Sequence, residues 1–455
     1  MAAGRAAPLT TTVPAGRTAV GPPRRLPLLA VEAATLLSGT ANGVTSVVLP
    51  WLVLERGGGA AGAGLVAAAT ALPLVLTAVL AGVVVDRVGR RRVSVVSDVV
   101  SAAAVAAIPL LELATGGLGL GSVVALAALG ALLDPAGVTA REAMLPEAAA
   151  AARLPLSRVN GVHEAVWGAA FFIGPAVGGV LIGLVGAVPA LWATTGAFVL
   201  SAVVVALVRV PGGGRPESRA ESSAGAVRRV LADTAEGIAV LRADRLVRCA
   251  AAVAVLVSAT YLPISAVLLP VLFEQQDAPG RLGLLLLVMS GGWVLGSLLQ
   301  GAVGHRLPRS LVLRVATVGA SLALVPFVAL PPYPVLLGCG ALAGLLFGPI
   351  NPLVNLAFQR RVPSHLRGRV LGIVASGAYA AGPVGHLAAG LLVDGTGLRT
   401  AFAVFVGAVV VAALSVLVLR PLRELDDLPD GEETPVASPV AVGPVLPEPR
   451  TPAAR

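Results

Sequence analysis

The segment GVVVDRVGRRRV, from Gly82 to Val93, is a short charged turn between two long apolar runs. The first run covers residues 63–85 and the second covers residues 93–113. Each has the roughly 20 residues that a helix needs to cross a hydrocarbon layer about 30 Å thick. The segment therefore predicts two membrane-spanning helices joined by a tight polar turn.

The composition extends this interpretation to the whole chain. Of its 455 residues, 56% are hydrophobic and 13% are charged, and the mean hydropathy is +0.89. Soluble domains are about one quarter charged. The net charge of +9 belongs to loops, whereas a nucleic-acid-binding domain concentrates its charge on one soluble face. We therefore expect an all-α integral membrane protein that does not bind nucleic acid.

Twelve apolar runs predict twelve transmembrane helices, in two halves of six. In the first half the predicted spans are 28–54, 63–85, 93–113, 119–140, 160–183 and 187–209. In the second half they are 246–272, 283–303, 310–330, 335–357, 370–394 and 400–420.

The segments outside the spans complete the predicted domain organisation. The halves are 28–209 and 246–420, and the linker 210–245 begins Pro- and Gly-rich and ends in an amphipathic helix. Residues 1–27 form an N-terminal tail, and the acidic and then Pro-rich residues 421–455 are predicted to be a disordered tail.

The arginines predict the orientation of the bundle. One set of alternate loops holds only Arg56, Arg281 and Arg399. Because loops rich in arginine remain in the cytoplasm, we expect both termini and the linker to be cytoplasmic. The loops of the arginine-rich set carry Arg87, Arg90, Arg91, Arg92, Arg141, Arg153, Arg158, Arg306, Arg309, Arg360, Arg361, Arg367 and Arg369.

A degenerate internal repeat supports the division into two halves. The spacing of Gly82, Asp86 and Gly89 after the second span returns after the eighth as Gly301, His305 and Pro308. Parallel repeats of six helices with a central linker are a known transporter architecture.

The turn between the second and third spans resembles the signature loop of the major facilitator superfamily. The resemblance covers residues 28–420 and implies the twelve-helix fold of that family. Five segments also resemble the drug and siderophore exporter branch that includes the enterobactin exporter and macrolide efflux proteins. They are LPWLVLE (Leu49 to Glu55), LLDPAGVTAREAMLPE (Leu132 to Glu147), GPAVGG (Gly174 to Gly179), AEGIAVLRADRLVR (Ala235 to Arg248) and VPSHLRGRVLG (Val362 to Gly372).

The resemblance implies a conformational latch at the signature loop. In the family, the residues at the positions of Asp86 and Arg90 belong to a charge network that stabilises the outward-open state. Gly82 and Gly89 allow close backbone approach there, and Arg87 adds charge. The alternative is that the arginines only anchor the loop in the cytoplasm.

GPAVGG resembles the part of the fifth span that the family associates with antiporting exporters. Pro175 removes a helix hydrogen bond, and Gly174, Gly178 and Gly179 admit a neighbouring helix at short distance. We expect a hinge, with simple packing as the alternative.

Ionisable residues inside the spans are candidates for proton coupling. Asp134 lies about two turns from the predicted cytoplasmic end of the fourth span, and Glu164 and His386 are the next candidates. The alternatives are a structural role for Asp134 beside Pro135 and a hydrogen-bonded structural histidine.

The remaining charges of the spans are predicted to have no role inside the membrane. Glu32, Asp98 and Asp394, like Glu164, lie within about two turns of a predicted helix end, so snorkelling or loop contacts explain them. No arginine is expected deep in a helix. The arginine that many proton-coupled relatives carry in the fourth span is therefore expected to be missing.

The family resemblance also assigns a substrate cavity, lined by spans 1, 4, 7 and 10 and flanked by spans 2, 5, 8 and 11. The polar and aromatic positions near mid-membrane favour an amphiphilic solute. They are Asn42, Thr45, Trp167, Phe171, Tyr261, Asn351 and Tyr379.

Together these features predict a secondary transporter that exports a small amphiphilic compound, such as a drug, siderophore or secondary metabolite, in exchange for protons. We expect a monomer in the plasma membrane that works by alternating access.

The chain has no ATP-binding loop, so the energy for transport should come from a gradient. No metal or catalytic cluster is present in the sequence, and Cys249 and Cys339 lie in apolar runs as packing residues, so neither an enzyme nor a cofactor is predicted. The alternatives are an importer, a lipid flippase, or a receptor or scaffold without transport.

The arginine asymmetry predicts the topology directly. Reporters fused after Arg56, Arg281 and Arg399 should behave as extracytoplasmic, and reporters fused after Arg153 and Arg309 as cytoplasmic. A cytoplasmic signal from any two of the first three fusions would contradict the model.

Overall fold

The structure is a computed structural model that describes residues 24–208 and 235–428, apart from some side chains within the helices. Regular structure in these two ranges is helical throughout. The apolar composition explains this, since a backbone in lipid must satisfy its hydrogen bonds within each helix.

The first half contains seven helices. They are α1 (Leu26–Glu55), α2 (Gly59–Val88), α3 (Arg90–Thr115), α4 (Leu120–Ala131), α5 (Asp134–Ala152), α6 (Leu156–Val185) and α7 (Ala187–Leu207).

The second half begins after a short helix, α8, at residues 235–243. Its helices are α9 (Arg245–Pro263), α10 (Leu269–Glu274), α11 (Pro279–Val303), α12 (Arg309–Ala323), α13 (Tyr333–Phe347), α14 (Ile350–Arg361), α15 (Ser364–Thr396) and α16 (Leu398–Val418). A π-helical turn, Ile264–Leu268, joins α9 to α10 directly after Pro263.

Ten segments of the described chain are long and apolar enough to cross a membrane. Some of them combine two elements, as in Leu120–Ala152 (α4 and α5), Arg245–Glu274 (α9 to α10) and Tyr333–Arg361 (α13 and α14). The two further predicted spans correspond to α2 and α15, which are also long helices. The fold is therefore an all-helical membrane bundle, in which ten of the twelve predicted spans are confirmed by length and hydropathy.

The fourth span is longer than predicted and is broken in the middle. Pro135 cannot donate a backbone hydrogen bond and its ring crowds the preceding turn, so α4 ends at Ala131 and a new helix starts at Asp134. Ser97 and Ser101 of α3 donate to the carbonyls of Leu133 and Gly130 at this break, at 3.0 and 2.8 Å. The prediction that this span ends at residue 140 is wrong, because an alanine-rich stretch continues α5 to Ala152.

Glycines join the two halves where α6 meets α11. A Cβ atom on Gly183 would lie 2.8 Å from the Cα of Gly280, and one on Gly179 would overlap Gly283. Such contact is possible only between residues without side chains, so the two backbones touch.

The same kind of contact joins α2 to α15. A Cβ atom on Gly390 would lie 2.8 Å from the Cα of Ala61, and one on Gly64 would overlap the carbonyl of His386. All four glycine contacts lie toward the end of the bundle at which α1 ends and α2 begins. We call this the arginine-poor end, and the opposite end, at which α2 meets α3, the arginine-rich end.

The chain after α16 packs back onto the bundle. A 3-10 helix follows at Arg420–Leu425, and Leu422, Leu425 and Leu428 are buried. Asp426 accepts hydrogen bonds from the backbone N–H and the hydroxyl of Ser310 at the start of α12, at 2.8 and 2.5 Å. The disorder predicted from residue 421 therefore does not begin there. Residues 209–234 of the predicted linker and 429–455 of the tail lie outside the described residues.

Candidate functional site

A buried ion pair connects four helices of the first half. Arg141 of α5 donates to both carboxylate oxygens of Asp98 of α3, at 3.3 Å. Arg141 also donates to Ser38 of α1 at 3.2 Å, and Ser201 of α7 donates to Asp98 at 2.6 Å. The two charged residues are only 3% and 1% exposed. Asp98 and Arg141 thus have charged and hydroxyl partners within the bundle.

This pair corrects two sequence-based expectations. Arg141 lies inside the extended fourth span rather than in a loop, so the expectation that no arginine is deep in a helix is wrong. Asp98 is a buried ion-pair partner, not a carboxylate that snorkels to water. One sequence signal indicated the site: Ser94, Ser97 and Ser101 share the helical face of Asp98 and form a polar stripe on an apolar helix.

Asp134 lies further from the end of its span than predicted. It is the first of the 19 residues of α5, which places it about 27 Å from Ala152 at a rise of 1.5 Å per residue. Ser101 donates to its Oδ1 atom at 3.1 Å, and the Asn42 side chain lies within hydrogen-bonding reach. Its carboxylate is buried at a helix N-terminus, where the backbone dipoles favour negative charge.

A second buried pair joins α1 to α6. The Nδ1 atom of His163 lies 3.2 Å from Oε2 of Glu32, and the residues are 4% and 9% exposed. Neither the other oxygen of Glu32 nor the other ring nitrogen of His163 has a hydrogen-bond partner within the described part of the chain. Glu32 is thus buried rather than snorkelling to water, and sequence reasoning missed its contact with His163.

The other two predicted coupling candidates have different surroundings. Glu164 is exposed on α6, next to His163 in the chain. His386 is buried where α15 packs on α2, near the carbonyls of Ala67 and Leu262. Among the described residues, neither ring nitrogen of His386 has a hydrogen-bond partner of ordinary geometry.

The latch residues lie where α2 ends and α3 begins. Gly82 is inside α2, Asp86 and Arg87 are exposed in its last turn, and Gly89 has a φ of +99°, which favours glycine. Arg90 forms an ion pair with Glu147 of α5 at 2.5 Å. In this conformation Arg90 therefore contacts its own half of the protein.

The predicted hinge residues form two helix contacts. A Cβ atom on Gly174 would lie 2.7 Å from the Cα of Gly43 on α1, and Gly178 packs on Val44 of the same helix. Gly179 faces the other half of the protein, as described above. Pro175 lies inside α6, which is helical on both sides of it.

The predicted cavity residues are spread along several helices. Trp167 stacks on Phe171 with ring centroids 5.5 Å apart, and Tyr261 makes an edge contact with Phe347 at 5.3 Å. The Thr45 hydroxyl donates to the carbonyl of its own helix at Ala41, and Asn42 and Asn351 are half-buried and exposed, respectively. The side chain of Tyr379 lies outside the described residues.

Two hollows of about 470 Å³ in the described structure are lined by none of these cavity residues. One lies between α3 and α4, and the other lies beside Arg399.

A carboxylate of the second half caps a helix of the first. Asp394 of α15 accepts hydrogen bonds from the backbone N–H groups of Ala60 and Ala61 in the first turn of α2, at 3.0 and 2.8 Å. These N–H groups have no partner within their own helix, and the positive end of the helix dipole favours the carboxylate. Asp394 therefore holds the halves together at the arginine-poor end.

Sequence comparisons give whole-length relatives. The chain is 40% identical over 417 residues to the multidrug efflux pump Tap of Mycobacterium tuberculosis, with 91% of this chain and 98% of the pump covered. It is 23% identical over 402 residues to macrolide efflux protein A of Streptococcus pyogenes, with 84% and 94% covered. The resemblance to the exporter branch is therefore confirmed.

The fold and a family model agree with these relatives. The crystal structure of a D-xylose–proton symporter superposes with a TM-score of 0.68 at 13% sequence identity, and the match covers 88% of this chain and 98% of that one. The model of the Major Facilitator Superfamily matches residues 32–385 and 264–452. This chain belongs to the major facilitator superfamily.

Proposed function

We propose that this protein is a proton-driven exporter of small amphiphilic molecules, including drugs. The observation that carries the proposal is the whole-length identity of 40% to a multidrug efflux pump. The name of the macrolide efflux relative supports the same direction of transport. The importer, flippase and receptor alternatives have no comparable support. We place the protein in the plasma membrane, with the arginine-rich end of the bundle and both termini in the cytoplasm.

Alternating access would depend on two carboxylates, one at each end of the bundle, that each cap a helix of the other half. We call these two contacts the clasps. Asp394 lies in the last turn of α15 and caps α2 at the arginine-poor end. Asp86 lies in the last turn of α2 at the arginine-rich end, which is also the end at which the antiparallel α15 begins. Asp86 is exposed here, so we assign this conformation to the cytoplasm-open state. Closure of the cytoplasmic end would then bring Asp86, with the latch residues around it, to the first turn of α15.

The hinge and cavity residues fit the same cycle. Gly174 and Gly178 let α6 rest on α1, and Gly179 lets it touch the other half, so α6 can change its inter-half contact while it stays packed in its own. We assign cargo contact to Asn42, Thr45, the Trp167–Phe171 stack, Tyr261, Asn351 and Tyr379. Aromatic faces with few charges suit an amphiphilic solute.

Asp134 is the proposed coupling carboxylate, with Glu164 and His386 as the further candidates. A coupling group has to gain and lose a proton as its exposure to water changes. Asp134 lies at the break between α4 and α5, where a small change in helix geometry would change its access to water. Its hydrogen-bonding neighbours Ser101 and Asn42 are uncharged, and the charges of Arg141 and Asp98 also act on it.

Export is tested by accumulation in cells. A strain without its main exporters should retain less ethidium and less erythromycin when it produces this protein, and a protonophore should abolish the difference. Equal accumulation of both compounds with and without the protein would contradict drug export. A difference that survives the protonophore would contradict proton coupling.

The coupling role of Asp134 predicts a split between two activities. In proteoliposomes, Asp134→Asn should abolish accumulation of ethidium against its gradient and preserve downhill exchange, because only the proton step is removed. Glu112→Gln, at the surface near the arginine-poor end, is the matched control. Gradient-driven accumulation by the Asn variant at several pH values would exclude Asp134, and joint loss of both activities at low abundance would indicate a packing role.

The two clasps predict opposite shifts of the conformational equilibrium. Loss of a helix-capping carboxylate costs about 1 kcal/mol, or about fivefold in the ratio of the two states. Asp394→Asn should favour the form open at the arginine-poor end, and Asp86→Asn should disfavour it. Distances between spin labels at Thr115 and Gln276, measured with Cys249 and Cys339 replaced by serine, report the change. Asp277→Asn at the same end is the control, and equal distance distributions in all variants would exclude the clasps.

A further inference from the structure

The pair formed by Glu32 and His163 is not used by the cycle described so far. It lies wholly within the first half, between α1 and α6, and belongs to neither clasp. Both residues are more than nine-tenths buried. Glu32 Oε1 and His163 Nε2 have no hydrogen-bond partner in residues 24–208 and 235–428. A buried polar atom without a hydrogen-bond partner is costly, so its presence calls for an explanation, and a functional role is one.

The pair differs chemically from the ion pair beside it. Arg141 cannot lose its proton in a protein, so its contact with Asp98 is a permanent charge pair. Glu32 and His163 can both exchange protons, and histidine does so near neutral pH. Because the two side chains share one contact, between Nδ1 of His163 and Oε2 of Glu32, either residue can carry the exchanging proton. The Asp98–Arg141 pair therefore suits a structural role, and the Glu32–His163 pair suits proton exchange.

The charged surroundings connect the pair to water. The ionisable groups that act on it are Glu142 of α5 and Glu164 of α6, and Arg141 in turn acts on Glu142. Both glutamates are exposed. A carboxylate inside the membrane faces water or the bundle interior rather than lipid, so we expect these two exposed glutamates to face water, in a space that we call the vestibule.

The vestibule opens toward the arginine-rich end. Glu142 lies about 15 Å from Ala152, and Glu164 lies about 12 Å from Leu156, at 1.5 Å per residue. The other helices packed on α1 add little charge. In α7 there is no ionisable residue, and in α2 Asp86 and Arg87 are confined to the last turn. Arg158 lies on α6 one turn nearer the arginine-rich end, and the charges that act on His163 are those of Glu32 and the two vestibule glutamates, which attract protons.

The pair is also separate from Asp134. Asn42, which contacts Asp134, lies about 15 Å further along α1 than Glu32 at 1.5 Å per residue. Between them Ser38 holds Arg141. The guanidinium of Arg141 neither accepts nor releases a proton, so it does not carry one from the pair to Asp134.

We propose that Glu32 and His163 form a second proton-exchange site, which releases its proton to the cytoplasm through Glu142 and Glu164. This inference rests on the proposed proton-driven export. In the step, one N–H or O–H bond of the pair breaks, the proton moves to a vestibule carboxylate and then to water, and no other bond changes. The pair takes up a new proton after the arginine-rich end closes and the bundle opens at the arginine-poor end.

The test uses the full-length protein in proteoliposomes, with ethidium and erythromycin as probes and pyranine as the indicator of internal pH. Glu32→Gln and His163→Gln should each lower accumulation driven by a pH gradient by about tenfold, the effect of about 1.4 kcal/mol, and lower the pyranine signal with it. Downhill movement of both probes should stay near the wild-type rate and lose its dependence on pH. Glu55→Gln, at the opposite end of α1, is the matched control and should change neither activity.

Swapping the two residues by mutation keeps a glutamate and a histidine in contact. It therefore separates a role in proton exchange from a role in folding. The double variant Glu32→His with His163→Glu should regain coupled transport, which a simple packing role does not predict. One outcome is that the wild type couples the transport of both probes to protons while the single variants keep that coupling and the wild-type pH dependence. In that case the inference is wrong and the proposed function stands. If the wild type moves the probes without a pyranine response, the proton-driven function itself fails. Loss of both activities in the single and double variants, at low abundance, overturns the inference in favour of packing.

Discussion

The ion pair between Asp98 and Arg141 fixes the arrangement of the first half. A single charge at the centre of a membrane helix costs about 2.5–3.5 kcal/mol, so each partner requires the other. Removal of one partner from a buried pair typically costs about 3–5 kcal/mol, because the remaining charge is left without compensation. The ion pair joins α3 to α5. The hydrogen bonds of Ser38 with Arg141 and of Ser201 with Asp98 join α1 and α7 to it. The positions of Asp134 and Glu32 on the same helices follow from this constraint.

The contacts between the halves are of a different kind. Within the first half, charges and hydroxyls hold helices in one arrangement, whereas between the halves glycine backbones touch at α6 with α11 and at α2 with α15. Backbone contact without interlocking side chains can be separated and reformed without a change of rotamers. The capping of α2 by Asp394 adds a polar contact to this surface that water can replace. The structure thus combines a first half held by charges with a surface between the halves that can separate.

Sequence reasoning predicted the features that depend on local pattern. Apolar runs gave the spans, and the signature loop with its flanking helices gave the family, because the length of a membrane helix and the chemistry of a turn are local properties. The end of the fourth span was wrong because alanine continues a helix in water and in lipid alike, so the stretch that carries α5 to Ala152 has no sharp boundary. That single error placed Arg141 in a loop and Asp134 only about two turns from the end of its span. The partners of Glu32 and Asp98 are on other helices, about 40 to 130 residues away in the chain, and only the packing of the bundle brings them together.

The buried ionisable residues are distributed unequally, and this has a consequence for how such a protein can change. In the described residues, Glu32, Asp98, Asp134, Arg141 and His163 are all in the first half, and the second half buries His386 alone. In the described part of the second half, few buried residues therefore depend on one another through charge. Substitutions there can change side-chain volume without leaving a buried charge unpaired. Tolerance to substitution should therefore differ between the halves, and it should be lower in the first half, where each buried charge requires its partner.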